Sequence, residues 1–270
     1  MKFIPHEYQK YCIDRMISDD KLGLMLDMGL GKTIITLSAI ADLKFNSFEV
    51  GKVLIIAPKK VAEATWTDEI AKWDHLSILK TSLVLGSLQK RIKALAKTAD
   101  IYVINRENVT WLVDYYKNAW PFDMVVLDEW SSFKNHQSKR FKSLKVIRNK
   151  INRIVGLTGT PAPNGLIDLW AQLYLLDQGE RLEKTIGKFR ERYFEPGQRN
   201  RTVIFNYDAK EGSNEAIHEK ISDICISMKA EDYLELPDII YEQVPVVLDS
   251  KAKKSYDELE KKAILELEDT

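Results

Sequence analysis

Gly29-Leu30-Gly31-Lys32-Thr33 is a run of residue types suited to holding phosphate. Glycines let a backbone turn tightly enough for its N–H groups and a following helix N-terminus to face phosphate oxygens. The lysine at the fourth position, Lys32, reaches β and γ oxygens, and the next hydroxyl, Thr33, can ligate Mg²⁺. The run follows the apolar stretch Leu22 to Leu26 and precedes the helix-like stretch from Thr33, which gives the order strand, phosphate loop, helix. The usual first glycine of such a loop is absent, because Leu26 stands five positions before Gly31. A plain glycine turn is the alternative, and the strand-to-helix context argues against it.

Asp128-Glu129 closes the apolar run Met124-Val125-Val126-Leu127. Carboxylates at the C-terminal end of a strand face the ligand crevice of an open α/β sheet. There an Asp can hold Mg²⁺ while the adjacent Glu polarises an attacking water, as phosphoryl transfer to water requires. Taken alone, such a pair is more often exposed charge; an upstream phosphate loop reverses that reading. A third run, Gly156-Leu157-Thr158-Gly159-Thr160-Pro161-Ala162-Pro163-Asn164, also follows an apolar stretch, though two threonines in a Gly/Pro turn are ordinary loop chemistry as well. Tyr8-Gln9 lies upstream, where an amide side chain offers the paired donor and acceptor that an adenine edge needs. In isolation Gln9 would be read as a surface residue.

These groups need a scaffold, and the chain supplies one. Short apolar runs, Leu22 to Leu26, Val53 to Ala57, Leu83 to Leu85, Ile101 to Ile104, Met124 to Leu127 and Arg153 to Leu157, alternate with amphipathic stretches such as Thr33 to Leu43 and Val61 to Trp73. That rhythm predicts an α/β fold with a mostly parallel sheet flanked by helices. The rhythm changes after Leu176. Gly179 to Tyr193 reads as helix, Glu195 to Gln198 as a turn and Thr202 to Tyr207 as a strand, so residues 177–230 are expected to form a mainly helical insertion on a core of residues 1–176. Residues 231–250, with the strand-like Tyr241 to Leu248, are expected to return to the core, and 251–270 to form a charged helix.

Composition excludes several classes. Of 270 residues, 45% are hydrophobic and 30% charged, values that argue against disorder and low complexity. Forty Lys and Arg balance forty Asp and Glu, so any contact with nucleic acid must be local. Cys12 and Cys225 have no disulfide or zinc spacing and read as structural thiols. Met1 to Glu7 lacks a leader pattern and the uninterrupted apolar runs are about a strand long, so the expected protein has no membrane contact and is not secreted.

The order of the motifs resembles the N-terminal RecA-like ATPase lobe of Swi/Snf-type superfamily-two helicase-like DNA translocases, over nearly the whole chain. His6-Glu7-Tyr8-Gln9 is similar to the family's adenine-reading Q motif, and Asp27 to Thr33 to its motif I. Ala57-Pro58-Lys59-Lys60 with Trp66, Glu69, Ile70 and Trp73 is similar to motif Ia. Asp128-Glu129-Trp130-Ser131 stands at motif II, with Lys134-Asn135 and Ser138 matching its extension, and Leu157 to Pro161 with Asn164 and Leu169-Trp170 resembles motif III. Leu236-Pro237, Val244 to Leu248 and Tyr256 resemble the segment leading to a second lobe.

The resemblance implies an ATP and Mg²⁺ site built from Gln9, Met28, Gly29, Leu30, Gly31, Lys32, Thr33 and Ile34, with Lys32, Asp128 and Glu129 catalytic and Thr33 and Asp128 on the metal. It implies double-stranded DNA as a partner, met through Lys59, Lys60, Asn105, Arg106, Thr158 and Thr160, by a monomer located in the cytoplasm, nucleoid or nucleus where DNA is accessible. The basic run Lys139 to Lys150 is read as a solvated helix face and the tryptophans as core. Two departures stand out. Trp130-Ser131 replaces the small residue and histidine common after the acidic pair, and motifs IV to VI of a second RecA-like lobe have no counterpart; Gly197-Gln198-Arg199 reads as a loop. An arginine finger from such a lobe is worth about 10³ to 10⁵ in rate, so the chain by itself is expected to bind ATP with little turnover. A non-catalytic, nucleotide-gated interaction module is the alternative reading, and an unrelated P-loop ATPase a third.

Overall fold

The computed structural model describes residues 1–162, 165–198, 206–234, 245 and 247–268. The chain runs through helix α1 (Glu7–Ser18), strand β1 (Lys21–Leu26), α2 (Lys32–Phe45), β2 (Val53–Ala57), a π-helical turn (Val61–Thr65) that continues into α3 (Trp66–Lys72), β3 (Thr81–Val84), α4 (Leu88–Leu95) and β4 (Ile101–Asn105). It continues through α5 (Val109–Tyr116), β5 (Met124–Asp128), α6 (Lys139–Ile147), β6 (Arg153–Thr158), α7 (Leu169–Asp177), α8 (Ile186–Tyr193), β7 (Phe194–Pro196), β8 (Tyr207–Ala209), α9 (Ser213–Ile221), β9 (Cys225–Met228) and α10 (Ser250–Glu268).

Seven strands form one sheet in the order β3-β4-β2-β5-β6-β1-β9, and every neighbouring pair is parallel. A parallel sheet is buried on both faces, which is why β2 and the first four residues of β4 are apolar without alternation and both strands are buried throughout. One face packs α1, α2 and α3 through Cys12, Met16, Ile35, Leu37, Ile40 and Trp66. The opposite face packs the helices from α4 to α9 through Leu112, Phe141, Leu144, Leu173, Phe189 and Ile217. Register aligns the strand ends that matter: Met25 of β1 stands opposite Thr158 of β6, and Leu157 of β6 opposite Asp128 of β5. The phosphate loop, the Thr158 to Pro161 loop and the acidic pair therefore leave the same edge of the sheet from three adjacent strands.

The structure differs from the sequence reading in three places. The third strand is Thr81–Val84 rather than Leu83 to Leu85. Glu195 and Pro196, read as a turn, belong to β7, which pairs antiparallel with β8; of the strand expected over Thr202 to Tyr207, residues 202–205 lie outside the described residues. The seventh strand of the main sheet, β9, comes from within the stretch read as an insertion (177–230) and pairs with β1 through Gly23↔Cys225 to Leu26↔Met228. The return expected over 231–250 lies largely outside the described residues. Four residues long, with Ser227 exposed and Ile226 its one buried residue, β9 is an edge strand. By contacts the chain divides into a unit of residues 1–234, which holds every element through β9, and a unit of residues 235–270, which holds α10. Among the described residues no helix is long and apolar enough to cross a membrane.

Candidate nucleotide-binding site

The phosphate loop leaves β1 at Leu26 and enters α2 at Lys32. Gly29 and Gly31 both lie in the left-handed region, with φ of 86° and 80°. Any L side chain would be strained in that conformation, and a Cβ on Gly31 would also come within 2.7 Å of the Gln9 amide nitrogen. The fourteen-residue α2 directs its unpaired N-terminal N–H groups at this turn, which makes the helix end an anion site. Lys32 Nζ lies back over the loop and donates to the carbonyls of Leu26 at 2.6 Å and Asp27 at 3.1 Å. Burial lowers its pKa, and the nearby Glu129, Asp128 and Asp27 carboxylates oppose that shift.

The cleft beside the loop encloses about 340 Å³ and is lined by Met28, Gly29, Gly31, Lys32, Thr33, Ile34, Val61, Glu69, Asp128 and Glu129. Residues 28–34 and the acidic pair, far apart in sequence, thus meet in one space. Leu30 is fully buried, so only its backbone is available there, whereas Met28 is 82% exposed at the rim. Gln9 is buried at the N-terminus of α1, where its Oε1 accepts from His6 N as half of a capping box and its Nε2 reaches the Leu30 carbonyl at 3.5 Å. That contact ties Gln9 to the phosphate loop, a role that its sequence position alone did not disclose.

Asp128 is held by two donors. Glu129 N gives to Oδ1 at 3.0 Å and the Trp66 indole N–H gives to Oδ2 at 3.1 Å. Burial pushes the carboxyl up to about 6, against the downward pull of those two hydrogen bonds and of Lys32. Glu129 has φ 49° and ψ 53°, a left-handed conformation unusual for a glutamate. The turn it makes lets the chain deliver Asp128 and Glu129 to the cleft and then drop Trp130 into the core on the other face of the sheet. Trp130 occupies a slot made by Gly23 and Gly156, which are directly paired across β1 and β6. A Cβ at Gly23 would stand 2.9 Å from the indole, and one at Gly156 would fall inside its van der Waals surface. Trp130 Nε1 donates to the Gln172 carbonyl, and Gln172 Nε2 donates to Pro161 O at 2.6 Å. The residue that departs from the expected pattern after the acidic pair is thereby connected to the Thr158 to Pro161 loop through α7.

That third loop closes over the phosphate loop: a Cβ on Gly159 would lie 3.5 Å from Leu26 O and 3.8 Å from Lys32 Nζ. Thr158 is fully buried and its hydroxyl accepts from Thr160 N, so of the two threonines only Thr160 is exposed. Asn164 lies outside the described residues. Lys134 pairs with Asp168 at 3.1 Å, and Ser138 caps α6 by accepting from Phe141 N, so both act within the protein. Within the basic run, Arg148 is buried and donates to the carbonyls of Leu175, Leu176 and Ile151, which satisfies the C-terminal end of α7.

Of the remaining expected nucleic-acid residues, Lys59 and Lys60 are exposed and open the helical segment after β2. Asn105 is buried, donating to Glu107 and accepting from Asn108, and Arg106 pairs with Glu107. Val61 and Glu69 line the cleft and Trp66 stands behind Asp128; the sequence reading assigned none of the three to the nucleotide site, with Trp66 and Glu69 counted in motif Ia and Trp66 read as core. The one signal for Trp66 was the indole N–H itself, since a buried indole needs an acceptor.

The donor set suits Mg²⁺·ATP. Thr33 hydroxyl and Asp128 carboxylate are hard oxygen ligands of the kind Mg²⁺ takes alongside phosphates and water. Two left-handed glycines leave the backbone bare where phosphate oxygens would approach.

The model of the SNF2-related domain family matches residues 8–270. The chain is 35% identical to protein p41 of Acyrthosiphon pisum secondary endosymbiont phage 1, over 98% of this chain and 59% of that protein. It is 29% identical to the DNA annealing helicase and endonuclease ZRANB3 of Bos taurus, over 96% of this chain and 24% of that protein. The chain therefore spans less than two thirds of the length of either relative. The Sulfolobus solfataricus SWI2/SNF2 ATPase core, solved in complex with dsDNA, shares the RecA-like fold with a TM-score of 0.68 at 24% identity, covering 85% of this chain and 45% of that one. With its match extending from α1 to α10, the chain belongs to the SNF2-related domain family.

Proposed function

We propose that this chain is the ATP-binding lobe of a DNA-dependent translocase, hydrolysing ATP to ADP and phosphate when a second RecA-like lobe completes the cleft. The observation that carries this reading is the single cleft shared by the phosphate loop and the Asp128-Glu129 pair. The backbone N–H groups at the start of α2 receive phosphate oxygens, and Lys32 Nζ exchanges the Leu26 and Asp27 carbonyls for the β and γ oxygens. Thr33 and Asp128 hold Mg²⁺, which when bound neutralises charge on the phosphates. Glu129 orients the attacking water and accepts its proton. Gln9, already seated against the phosphate loop, reads the adenine edge. Duplex DNA lies across the end of the sheet that carries Lys59, Lys60, Arg106 and Thr160, with contacts to the phosphate backbone and none that read sequence.

Calorimetry of ATP·Mg²⁺ with this chain and with Lys32→Ala, followed by phosphate release with and without duplex DNA, tests the reading. We expect binding that is lost in the variant and little turnover in either protein. In an intact two-lobed enzyme, Glu129→Gln is expected to lower DNA-stimulated turnover by about 10² to 10⁴. Absence of ATP binding to the unsubstituted chain would reject the motor, and ATP binding without any DNA-stimulated hydrolysis in the intact enzyme would favour a nucleotide-gated interaction module.

A further inference from the structure

Trp66 is among the largest fully buried side chains of the chain, at 1% exposure, on the sheet face that packs α1, α2 and α3. Any large apolar side chain could fill that volume. What distinguishes tryptophan is its one N–H, and this one donates across 62 residues to Asp128 Oδ2 at 3.1 Å. The other carboxylate oxygen accepts from Glu129 N. With one donor on each oxygen, rotation of the Asp128 carboxyl is fixed from two sides, and of the two donor residues Glu129 lines the cleft while Trp66 does not.

The backbone that carries Trp66 is unusual as well. Val61–Thr65 is a π-helical turn that ends at the residue before Trp66, and π turns insert one extra residue into a helical path. Val61 before the indole and Glu69 after it both line the cleft, while the indole itself lies behind the carboxylate. Because β2 and β5 are neighbours in the sheet, the segment leaving β2 passes the end of β5 where Asp128 sits.

We propose that Trp66 is a positioning residue, whose indole N–H holds the Asp128 carboxylate in the orientation that receives Mg²⁺ beside the phosphate loop. The proposal rests on the reading of Asp128 as a magnesium ligand. Groups behind a metal ligand that fix its orientation are typically worth about 10- to 100-fold in metal affinity.

The test is ATP affinity measured by calorimetry in Mg²⁺ and in EDTA for four forms of this chain: unsubstituted, Trp66→Phe, Asp128→Asn and the double variant. Trp66→Phe is expected to leave affinity in EDTA within about twofold and to reduce the gain that Mg²⁺ confers by about 10-fold or more. In the Asp128→Asn background, Trp66→Phe is expected to add nothing, since the indole acts only through that carboxylate. Replacing Trp66 by 3-benzothienylalanine, which keeps the bicyclic shape and lacks the N–H, should reproduce the loss of the Mg²⁺ gain with affinity in EDTA unchanged, and so separates the hydrogen bond from packing. An undiminished Mg²⁺ gain in this isostere, an equal loss in EDTA, or an additive effect in the double variant would each overturn the positioning role. If Asp128→Asn keeps the full Mg²⁺ gain, the metal-ligand reading of Asp128 falls and the role of Trp66 falls with it; if Asp128→Asn loses the gain and the Trp66 variants keep it, only the role of Trp66 falls.

Discussion

Among the described carboxyl groups, Asp128 is the one whose ionisation the fold opposes. Burial pushes its carboxyl from the ordinary 3.8 up to about 6, even with Trp66 and Glu129 N donating to it. Between these two values the native state holds a proton that the unfolded chain has lost, so stability falls as pH rises through that window and the whole penalty is present above about 6. Asn at this position removes the charge and accepts from the indole N–H, while its amide NH2 meets the Glu129 N–H, donor against donor, which offsets part of the gain by about 1 kcal/mol. We expect Asp128→Asn, free of metal in EDTA, to be more stable than the unsubstituted chain by on the order of 1 to 2 kcal/mol at pH 8. The advantage should shrink toward pH 4 and reverse there, which paired thermal melts at the two pH values would measure. A stability difference that stays the same at the two pH values would mean that the carboxylate is solvated. A residue that destabilises the resting protein while facing a phosphate loop is the pattern of a site built for a ligand.

At the scale of elements, the acidic pair is held in place by the turn and the indole on its C-terminal side. Glu129 turns through a left-handed conformation, and Trp130 then wedges into the slot between Gly23 of β1 and Gly156 of β6. Glycine inside a strand normally weakens it; here the paired absence of two side chains makes room for an indole. The wedge also ties β5 to α7 and, through Gln172, to the loop at Pro161. Gly156→Ala is expected to cost about 1 to 3 kcal/mol from overpacking in denaturant melts. Adding Trp130→Leu should recover a substantial part of that loss, giving a coupling energy on the order of 0.5 to 3 kcal/mol. Purely additive effects would show that the slot does not depend on the indole.

At the scale of the molecule, forty cationic and forty anionic side chains leave no global field to attract DNA. On the proposed reading, binding to duplex comes from a few exposed groups, and Lys59 and Lys60 at the head of the π-helical segment are the ones closest in sequence to the cleft-lining Val61. Each phosphate neutralised contributes roughly −0.9 to the slope of log affinity against log salt concentration. Lys59→Ala with Lys60→Ala is therefore expected to make that slope shallower by about 2 in a fluorescence anisotropy titration against duplex DNA. An unchanged slope would remove both lysines from the interface.

Much of this was written in the linear order of residues. The alternation of apolar runs with amphipathic stretches determined the parallel α/β sheet, because a strand buried on both faces must be apolar at every position, as Val53 to Ala57 and Met124 to Leu127 are. Gly29, Gly31 and Lys32 announced a phosphate loop since the backbone conformation and the charge are local properties. Tertiary structure decided whatever depends on partners distant in sequence. Asp128 is a buried, doubly held carboxylate only because β2 lies beside β5 and brings Trp66 behind it. Trp130 looked like a departure from the family pattern, and is the filling of a slot whose two walls, Gly23 and Gly156, become neighbours only through strand pairing. Thr158 and Asn105 have the types that reach for phosphate, yet packing buries both and internal hydrogen bonds occupy them. The short strand β9 was hidden for a related reason: it is four residues long, follows helical segments, and becomes part of the main sheet only by pairing with β1, a partner about 200 residues earlier.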